Sequence, residues 1–410
     1  MTTDGKRGAG VSLLAMVLAV VAVLGVALAL VMRVGHERSS LTTVKGTLSV
    51  SEALAAPGTQ GFERAVAPRR FRFPADHGPH LSFQTEWWYW TGNLRAVGPD
   101  RASRRFGFQL TFFRMALAPT VAPRASAWSA RDAYLAHLAL SDIEAARFHA
   151  RDRWARGALD LAGAAIDPLR VWVGDWVAAA NVPGGWPLTL RAGAEDFGIN
   201  LALSPGKAPV LHGEQGLSRK SAEPGNASYY YSLTRMPVSG TLRLGATTLP
   251  VEGLAWMDRE WSTSALGPDQ VGWDWFALQL DDGRELMLYR LRQRDGGVAP
   301  ESGGSLVAAD GTTRGLDRDA VEVLVTDHWT SPRDGTRYPA GWRLRVPSAA
   351  LDVVVTPLLR DQELDLAARY WEGAVRIDGT ADGRPVGGSG YVELVGYAGR
   401  REGLAEAMRQ

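Results

Sequence analysis

The sequence predicts a mainly β protein built from antiparallel strands that form a barrel or a sandwich. Short stretches of β-branched, aromatic or alternating residues recur along the chain from about residue 71. Asp-Gly pairs separate several of these stretches, and both residue types tolerate the positive φ angles of tight hairpin turns. The intervals are too short for the helical crossovers that parallel strands need. The Asp-Gly pairs lie at 282–283, 310–311, 334–335 and 382–383.

The N-terminal segment predicts a membrane anchor. Lys6 and Arg7 precede an uncharged run at residues 11–32, and a helix of that length, at ~1.5 Å per residue, crosses a ~30 Å hydrocarbon core. Small-x-small patterns lie inside the run or far beyond it, which favours an uncleaved helix over a cleaved signal. We therefore expect a short cytoplasmic N-terminus at 1–10 and a single-pass protein of the cytoplasmic membrane. Its body is expected on the periplasmic or extracytoplasmic side.

Beyond the anchor, the sequence predicts a linker, one helix and a series of strands. Residues 33–70 predict a linker, because they are rich in small and polar residues and show no sustained period. Residues 148–161 predict the one helix of the first half. Strands of the first half are predicted at 86–93, 105–114, 134–142, 169–173, 186–192 and 198–203. Strands of the second half are predicted at 227–233, 240–244, 247–257, 273–280, 285–292, 305–309, 321–329, 337–346, 351–357, 370–378 and 385–395.

An internal echo indicates two related β domains. The pair Glu86-Trp87 precedes Phe-Gly-Phe-Gln-Leu, and the pair Glu260-Trp261 precedes Phe-Ala-Leu-Gln-Leu at a similar separation. Because Glu86 and Glu260 hold corresponding places, the echo favours a scaffold role for both. Proline and glycine cluster between about 203 and 227, where we place the boundary. The predicted domains are 71–215 and 216–400.

The candidate site is residues 254–289, where acidic side chains alternate with tryptophans. Large apolar rings remove solvent from a carboxylate, and this raises its pKa toward values that are useful for proton transfer. In an extended chain, Trp256, Asp258 and Glu260 share one face, and Arg259 and Trp261 lie on the other. The acids are Asp258, Glu260 and Asp274, and the tryptophans are Trp256, Trp261, Trp273 and Trp275.

These residues suit acid–base chemistry on an apolar molecule. Asp258 or Asp274 is predicted to donate a proton and Glu260 to orient water, while the four tryptophans contact the ligand and stabilise positive charge. The alternative is that Arg259 pairs with a neighbouring acid and the rings form the core. Glu86 and Trp88 are further ligand-binding candidates, with a structural role as their alternative.

Composition and motifs exclude several other classes of function. The chain has no cysteine and a net charge of +1, so it has no thiolate site and no global field for nucleic acid. His77 and His80 have no further candidate ligands nearby in sequence except Asp76 and Glu86, and no metal is predicted. No nucleophile elbow or phosphate loop is present. No cofactor is therefore predicted.

Four motifs resemble the AttH-like family, which is related to carotenoid 1,2-hydratase (hydroxyneurosporene synthase) and whose members are often labelled predicted secreted hydrolases. They lie at 73–94, 107–114, 253–266 and 272–292, and the resemblance extends over residues 71–397. It implies two lipocalin-like antiparallel β-barrel domains. In the hydratase branch it also implies addition of water to an isoprenoid double bond without a cofactor. That branch further implies a histidine near 257–261, where this chain has none.

Two functions from different classes follow from these observations. The first is a membrane-tethered, extracytoplasmic lipocalin-like protein that binds a lipid, an isoprenoid or another apolar molecule in a barrel. The second is a carotenoid 1,2-hydratase-like lyase that works by acid–base catalysis. The predicted partners are the apolar ligand, the membrane and a transporter complex.

Overall fold

The structure is a computed structural model that describes residues 59–97, 104–120, 130–180, 182, 185–263 and 266–398. All of these residues belong to one compact unit. The predicted membrane anchor at 11–32 lies outside the described ranges. Within those ranges, no helix combines the length and the hydropathy needed to span a bilayer.

Among the described residues, the first of two barrel-like sheets contains thirteen strands, and all of its neighbouring strands are antiparallel. Its strands are β1 (Thr85–Ala96), β2 (Arg105–Ala116), β3 (Asp132–Asp142), β4 (Arg147–Arg156), β5 (Ala162–Ile166), β6 (Leu169–Val173), β7 (Trp176–Ala180), β8 (Leu188–Gly193), β9 (Phe197–Leu203), β10 (Val210–Leu211), β11 (Leu217–Arg219), β12 (Ala227–Leu244) and β13 (Thr247–Ser262). They are ordered β4-β3-β2-β1-β13-β12-β9-β8-β7-β6-β5, and β10 and β11 pair with β12. The long strands β1 and β13 therefore lie side by side at the middle of the sheet.

The second sheet, in the part of the chain that the structure describes, contains ten strands in the order β17-β16-β15-β14-β23-β22-β20-β19-β18, with β21 paired to β22. These strands are β14 (Gln270–Leu280), β15 (Glu285–Gln293), β16 (Gly303–Val307), β17 (Thr313–Asp317), β18 (Glu322–Thr330), β19 (Arg337–Val346), β20 (Leu351–Pro357), β21 (Glu363–Asp365), β22 (Arg369–Ala381) and β23 (Arg384–Val395). Three short 3-10 turns are the only helical segments among the described residues: Ala75–His77, Arg318–Ala320 and Pro347–Ala349. The prediction of a mainly antiparallel β fold is confirmed.

The four Asp-Gly pairs all lie in hairpin connections, as predicted. They connect β14 to β15, β16 to β17, β18 to β19, and β22 to β23. In the last of these turns Asp382 and Gly383 have φ angles of 52° and 72°, the left-handed conformation that these residue types adopt at low cost. Turn chemistry therefore sets the hairpins of the second sheet.

The predicted helix at 148–161 is wrong, because most of this segment is strand β4. Residues from Arg147 to Arg156 pair with β3 along its whole length. Phe148 and Ala150 pack against an apolar cluster, and Trp154, on the same face of β4, is 47% exposed. Pairing with β3 thus overrides the helical preference of a segment rich in alanine and arginine.

Each sheet has its own apolar core, and two further clusters join the sheets. One joining cluster packs Tyr89 and Trp256 of the first sheet against Trp275 of the second. The sheets approach closely at Gly107, where an added Cβ would lie 2.5 Å from the Cβ of Ala374. Side chains from both sheets are therefore brought into one shared interior.

The last strand of the first sheet ends at Ser262, and the first strand of the second sheet begins at Gln270. Strands β12 and β13, which follow the predicted boundary at 215/216, pair within the first sheet. The assignment of domains to 71–215 and 216–400 stays a prediction.

Candidate functional site

The pairing of β1 with β13 decides which side chains share a face. Trp87 lies opposite Glu260, and Tyr89 lies opposite Asp258. Directly opposed residues of antiparallel strands project to the same side of a sheet. These four side chains therefore point together toward the second sheet, and Trp256 joins them through the period of two.

A cavity of about 100 Å³ lies between the two sheets. Five of its lining residues are partly exposed and mark its most accessible side, whereas the others are buried. The partly exposed residues are Trp87, Lys220, Leu266, Trp273 and Glu393. The buried residues are Thr85, Tyr89, Thr111, Phe113, Tyr230, Asp258, Glu260, Ser262, Trp275, Tyr289, Leu291 and Tyr370. The cavity is thus mainly aromatic, with three acids and one lysine in its wall.

Asp258 is the most buried of these acids, with an exposed fraction of 4%. Its carboxylate accepts hydrogen bonds from the hydroxyls of Tyr230 and Ser232 and, at 2.6 Å, from Nε1 of Trp256. Burial raises the pKa of Asp258 to about 7, because the three donors only partly offset the lost solvation and the charge of Glu260 adds to the rise. Asp258 therefore holds a proton for part of the time near neutral pH.

A second layer of side chains orients the donors of Asp258. His212 places Nε2 2.6 Å from Oγ of Ser232 and Nδ1 2.9 Å from Oγ of Ser305. Burial lowers the pKa of His212 to about 3, so the imidazole is neutral. The sequence contains no motif around His212, and its role depends on contacts with β12 and β16.

Within the described part of the chain, Glu260 is the one cavity acid with a cationic partner. Nζ of Lys220 lies 2.8 Å from Oε1 of Glu260, and the hydroxyl of Ser228 also donates to this carboxylate. The Lys220 ammonium lies 5.2 Å from the ring centroid of Tyr289 and 5.6 Å from that of Tyr230. Lys220 was missed in the sequence because it follows a short strand, away from the tryptophan motifs.

Glu393 of β23 brings a third acid to the cavity from the second sheet. Nε1 of Trp273 donates a hydrogen bond to it at 2.9 Å. Burial raises the pKa of Glu393 to about 7, and the charges of Asp258 and Glu260 add to the effect. Its segment was predicted only as a strand, and nothing in the sequence shows that β23 faces β13.

A buried polar network continues behind Glu393. Glu372 lies opposite Glu393 in the register of β22 and β23. The hydroxyl of Tyr89 donates to Glu372 at 2.5 Å, and burial raises the pKa of Glu372 well above its usual value. The hydroxyl of Tyr370 lies 2.8 Å from Nδ1 of His137. This network joins strands of both sheets.

The Glu86 cluster, which consists of Glu86, His80, Arg114 and Arg259, lies on the opposite face of β1 and β13. Nε of Arg114 and Nη2 of Arg259 each lie 2.5 Å from a Glu86 oxygen, and the backbone N–H of His80 also donates to the carboxylate. Burial alone would raise the pKa of Glu86, but Arg259 and Arg114 hold it below its usual value. Glu86 is therefore an ionised member of a buried ion-pair network.

Trp88 and Trp261 belong to this opposite face as well. The guanidinium of Arg259 lies 3.8 Å from the ring centroid of Trp88, and Trp261 stacks on the His80 ring at 3.6 Å. Of the predicted ligand-contact residues, only Trp273 and Trp275 line the cavity. Trp256 does not line it but donates a hydrogen bond to Asp258, which does. The structure does not bring Glu86, Trp88 or Trp261 to the cavity.

Asp274 also lies away from the cavity, because β14 turns it to the side opposite Trp273 and Trp275. It is 1% exposed and lies 3.1 Å from Nε of Arg292. The hydroxyl of Tyr397 donates to Asp274 at 2.8 Å. Burial raises the pKa of Asp274 against the opposing effects of Arg292, Tyr397 and Arg290.

The two histidines of the N-terminal loop make polar contacts within the protein. Nδ1 of His77 lies 2.6 Å from the hydroxyl of Tyr231, and Nε2 of His80 lies 3.1 Å from Asp76. Within the described part of the chain, no group of three or more His, Cys, Asp or Glu residues is arranged to hold a metal ion.

The fold and the cavity define a class of protein: two antiparallel barrel-like sheets that enclose an acid-lined aromatic cavity. A sequence profile of the AttH-like family matches residues 64–397, and the chain belongs to this family. The family predicted from the motifs is thus confirmed. No curated protein sequence matches the chain significantly.

Two solved structures resemble the chain over most of its length. An AttH protein of Nitrosomonas europaea is 36% identical, with a TM-score of 0.72, and the match covers 82% of this chain and 100% of that one. Kievitone hydratase of Nectria haematococca is 15% identical, with a TM-score of 0.60, and the match covers 82% of this chain and 96% of the hydratase. The second likeness shows a shared fold.

Proposed function

We propose that the cavity between the two sheets binds one end of an apolar molecule, such as a lipid or an isoprenoid, in the manner of a lipocalin-like barrel. The observation that carries this proposal is the lining itself, in which ten of the seventeen residues are aromatic or leucine. Ligand pockets combine such an apolar wall with a few polar groups that fix orientation. Asp258, Glu260 and Glu393 are the polar groups here.

The size of the cavity limits how much of a ligand it takes. A volume of about 100 Å³ is several times the ~10–15 Å³ of accessible space that holds one water. Pockets that enclose a whole drug-sized molecule have roughly 300 to 1,000 Å³. We infer that one terminal group of the ligand enters and that the rest extends past Trp87, Leu266 and Trp273.

Titration with geraniol, a soluble acyclic isoprenoid alcohol, tests this proposal on the full chain. Trp275→Leu removes a ring from the cavity wall and is expected to weaken binding about tenfold, which corresponds to ~1.4 kcal/mol. Trp154→Leu is the matched control at an exposed position of β4 that does not line the cavity and is expected to leave affinity unchanged. Absence of saturable binding to the native chain would overturn the proposal.

A second candidate function is cofactor-independent hydration of an isoprenoid double bond, a hydro-lyase activity. The raised pKa of Asp258, about 7, favours it, because a carboxyl that is protonated near neutral pH can act as a general acid. The Asp258 proton would add to the terminal alkene carbon, and water would add to the resulting cation. Glu260 or Glu393 would accept the proton that the water releases. The shared fold with kievitone hydratase is compatible with this chemistry.

Incubation of the full chain with acyclic carotenoids in isotopically labelled water tests the second candidate. Labelled oxygen is expected in the product of the native chain. Asp258→Asn is expected to abolish the incorporation, and Asp274→Asn, whose side chain lies on the other side of β14, is expected to keep it. Incorporation that survives in Asp258→Asn would exclude this acid as the donor.

We further propose that residues 11–32 tether the body to the outer side of the cytoplasmic membrane. The uncharged run behind Lys6 and Arg7 supports this topology. An alkaline phosphatase reporter fused after residue 70 is expected to be active, since this enzyme folds only outside the cytoplasm. An inactive reporter would indicate that the body lies on the cytoplasmic side and would contradict this topology. A transporter complex at this membrane stays a predicted partner.

A further inference from the structure

We propose that the cavity selects ligands whose buried end carries a positive charge, such as a trimethylammonium group or a protonated tertiary amine. The inference rests on the proposed function, since it names the class of ligand that the same cavity takes. It depends on three features: the balance of charges in the wall, the rings around the acids and the size of the space.

The cavity wall has an excess of acids over cations. Among the lining residues, Glu260 is neutralised by Lys220 at 2.8 Å. Asp258 accepts hydrogen bonds from two hydroxyls and an indole, and Glu393 accepts one from the indole of Trp273. No ion pair with either acid is present within the described residues. Two carboxyl groups therefore face the cavity without a cationic partner.

Uncompensated carboxylates in an apolar interior are unfavourable unless a cation or a proton neutralises them. Without a ligand the proton does so, because the pKa values of Asp258 and Glu393 both rise to about 7. A bound cation supplies the same neutralisation and lets both acids ionise. A ligand with a buried carboxylate would instead add a like charge beside Glu260.

The rings of the cavity are arranged to attract a cation. Aromatic faces carry partial negative charge and bind ammonium groups. The Lys220 ammonium already lies within 5.6 Å of two ring centroids, those of Tyr230 and Tyr289. Trp275 meets Tyr89 at an interplanar angle of 87°, with ring centroids 5.2 Å apart. This edge-to-face contact fills the space between the two rings, so a bound cation would lie against the ring surfaces that border the cavity.

The volume fits a head group better than a whole molecule. About 100 Å³ is well below the roughly 300 Å³ at which pockets begin to enclose a whole drug-sized molecule, and it suits a compact head group. An alkyl chain attached to that group would pass Leu266 and Trp273 on the accessible side. The ligand class is therefore an organic cation with an apolar chain.

Calorimetric titration of the full chain with three probes of similar size tests the inference. The probes are pentyltrimethylammonium, 1-octanol and octanoate. For each probe, the heat of adding it to the same detergent-containing buffer without protein is subtracted. The cation is expected to bind at least about tenfold more tightly than the alcohol, and octanoate is expected to bind most weakly. Equal or tighter binding of the alcohol would overturn the inference while leaving the proposed function intact. Failure of all three probes to bind would overturn both.

Variants of the two unpaired acids give a second, independent readout. The Asp258→Asn, Glu393→Gln double variant is expected to bind pentyltrimethylammonium no more tightly than 1-octanol, so that the preference of the native chain is lost. Asp274→Asn is the matched control and is expected to keep the preference. If the double variant fails to fold, Glu393→Gln alone, at a partly exposed position, is expected to reduce the preference severalfold. Retention of the full preference in these variants would contradict the inference.

Discussion

Strands β1 and β13 carry buried acids on both faces, and the two faces differ in how those acids are neutralised. On one face, the Glu86 cluster surrounds one carboxylate with two arginines. On the other face, β13 carries Asp258 and Glu260, which line the cavity together with Glu393 of the second sheet, and within the described residues only Glu260 of these cavity acids pairs with a lysine. Both groups lie among tryptophans, so burial beside aromatic rings does not by itself indicate function. What indicates a functional site is that Asp258 and Glu393 have no cationic partner among the described residues and that they line a cavity.

The two environments shift pKa values in opposite directions for one physical reason. Burial penalises the charged form of both Glu86 and Asp258. Two guanidinium groups more than offset that penalty at Glu86 and lower its pKa. Three neutral donors do not offset it at Asp258, where the pKa rises to about 7. One acid is thus kept ionised, and the other is able to exchange a proton.

The largest expected effect is on the stability of the Glu86 cluster. Glu86→Gln leaves Arg114 and Arg259 buried without their partner and is expected to lower the free energy of unfolding by about 5 kcal/mol. Denaturant unfolding measures this loss. The matched substitution Asp258→Asn, measured at pH 5, where Asp258 is protonated, is expected to cost less than about 1 kcal/mol. Similar losses in the two variants would remove the distinction between the faces.

The pH dependence of the free energy of unfolding is expected to reflect the titration of Asp258, which lies on the cavity face. Asp258 has a pKa of about 7 in the folded protein against 3.8 in the unfolded chain, so the folded state binds the proton more tightly. Its contribution to stability is fully present below about pH 4 and is lost as the pH rises through 7, with a total of about 4 kcal/mol. Unfolding of Asp258→Asn and of the native chain at pH 5 and pH 8 measures it. The native chain is expected to lose more stability than the variant, and parallel profiles would contradict the assignment.

A smaller effect is expected at Arg259. Nη2 of Arg259 donates to Glu86 and to the carbonyl of Gly78, and Nη1 donates to the carbonyl of Trp87. Arg259→Lys keeps the charge but loses part of this fork, and a loss of about 2 kcal/mol is expected in denaturant unfolding. Affinity for geraniol is expected to stay the same, because the guanidinium lies on the face away from the cavity. A clear loss of affinity would show that the two faces are coupled.

The smallest effect is expected for Asp274. Because its carboxylate pairs with Arg290 and Arg292 outside the cavity, Asp274→Asn is expected to change ligand affinity by less than about twofold. Titration with geraniol measures this affinity, and Asp258→Asn serves as the cavity-side comparison. A large loss in Asp274→Asn would restore this acid as a candidate for the site.

Much of the fold could be predicted from residues that are close in sequence. The four Asp-Gly turns and the alternation at 256–261 were both correct, because turn conformation and side-chain period depend on the local backbone. The tryptophan motifs were also sufficient to predict the family. The error at 148–161 arose where composition favoured a helix and pairing with β3 imposed a strand.

The composition of the site could be predicted only in part. Asp258, Glu260, Trp273 and Trp275 line the cavity, and their roles in catalysis or ligand binding stay predictions. The echo that linked Glu260 with Glu86 does not correspond to equivalent positions in the fold. The antiparallel register places Glu86 opposite Trp261, so the two glutamates project to opposite faces. A register of this kind depends on which strands pair, and a shift of one residue would exchange the faces.

The turns, the alternation of faces and the family signature are properties of local sequence, and they could be established from the chain alone. The cavity is a property of the packed sheets. Asp258 and Glu393 are far apart along the chain, and they meet because β13 and β23 lie in sheets that share one interior. Their missing counter-charges depend on where every nearby arginine points, and only the tertiary structure decides that.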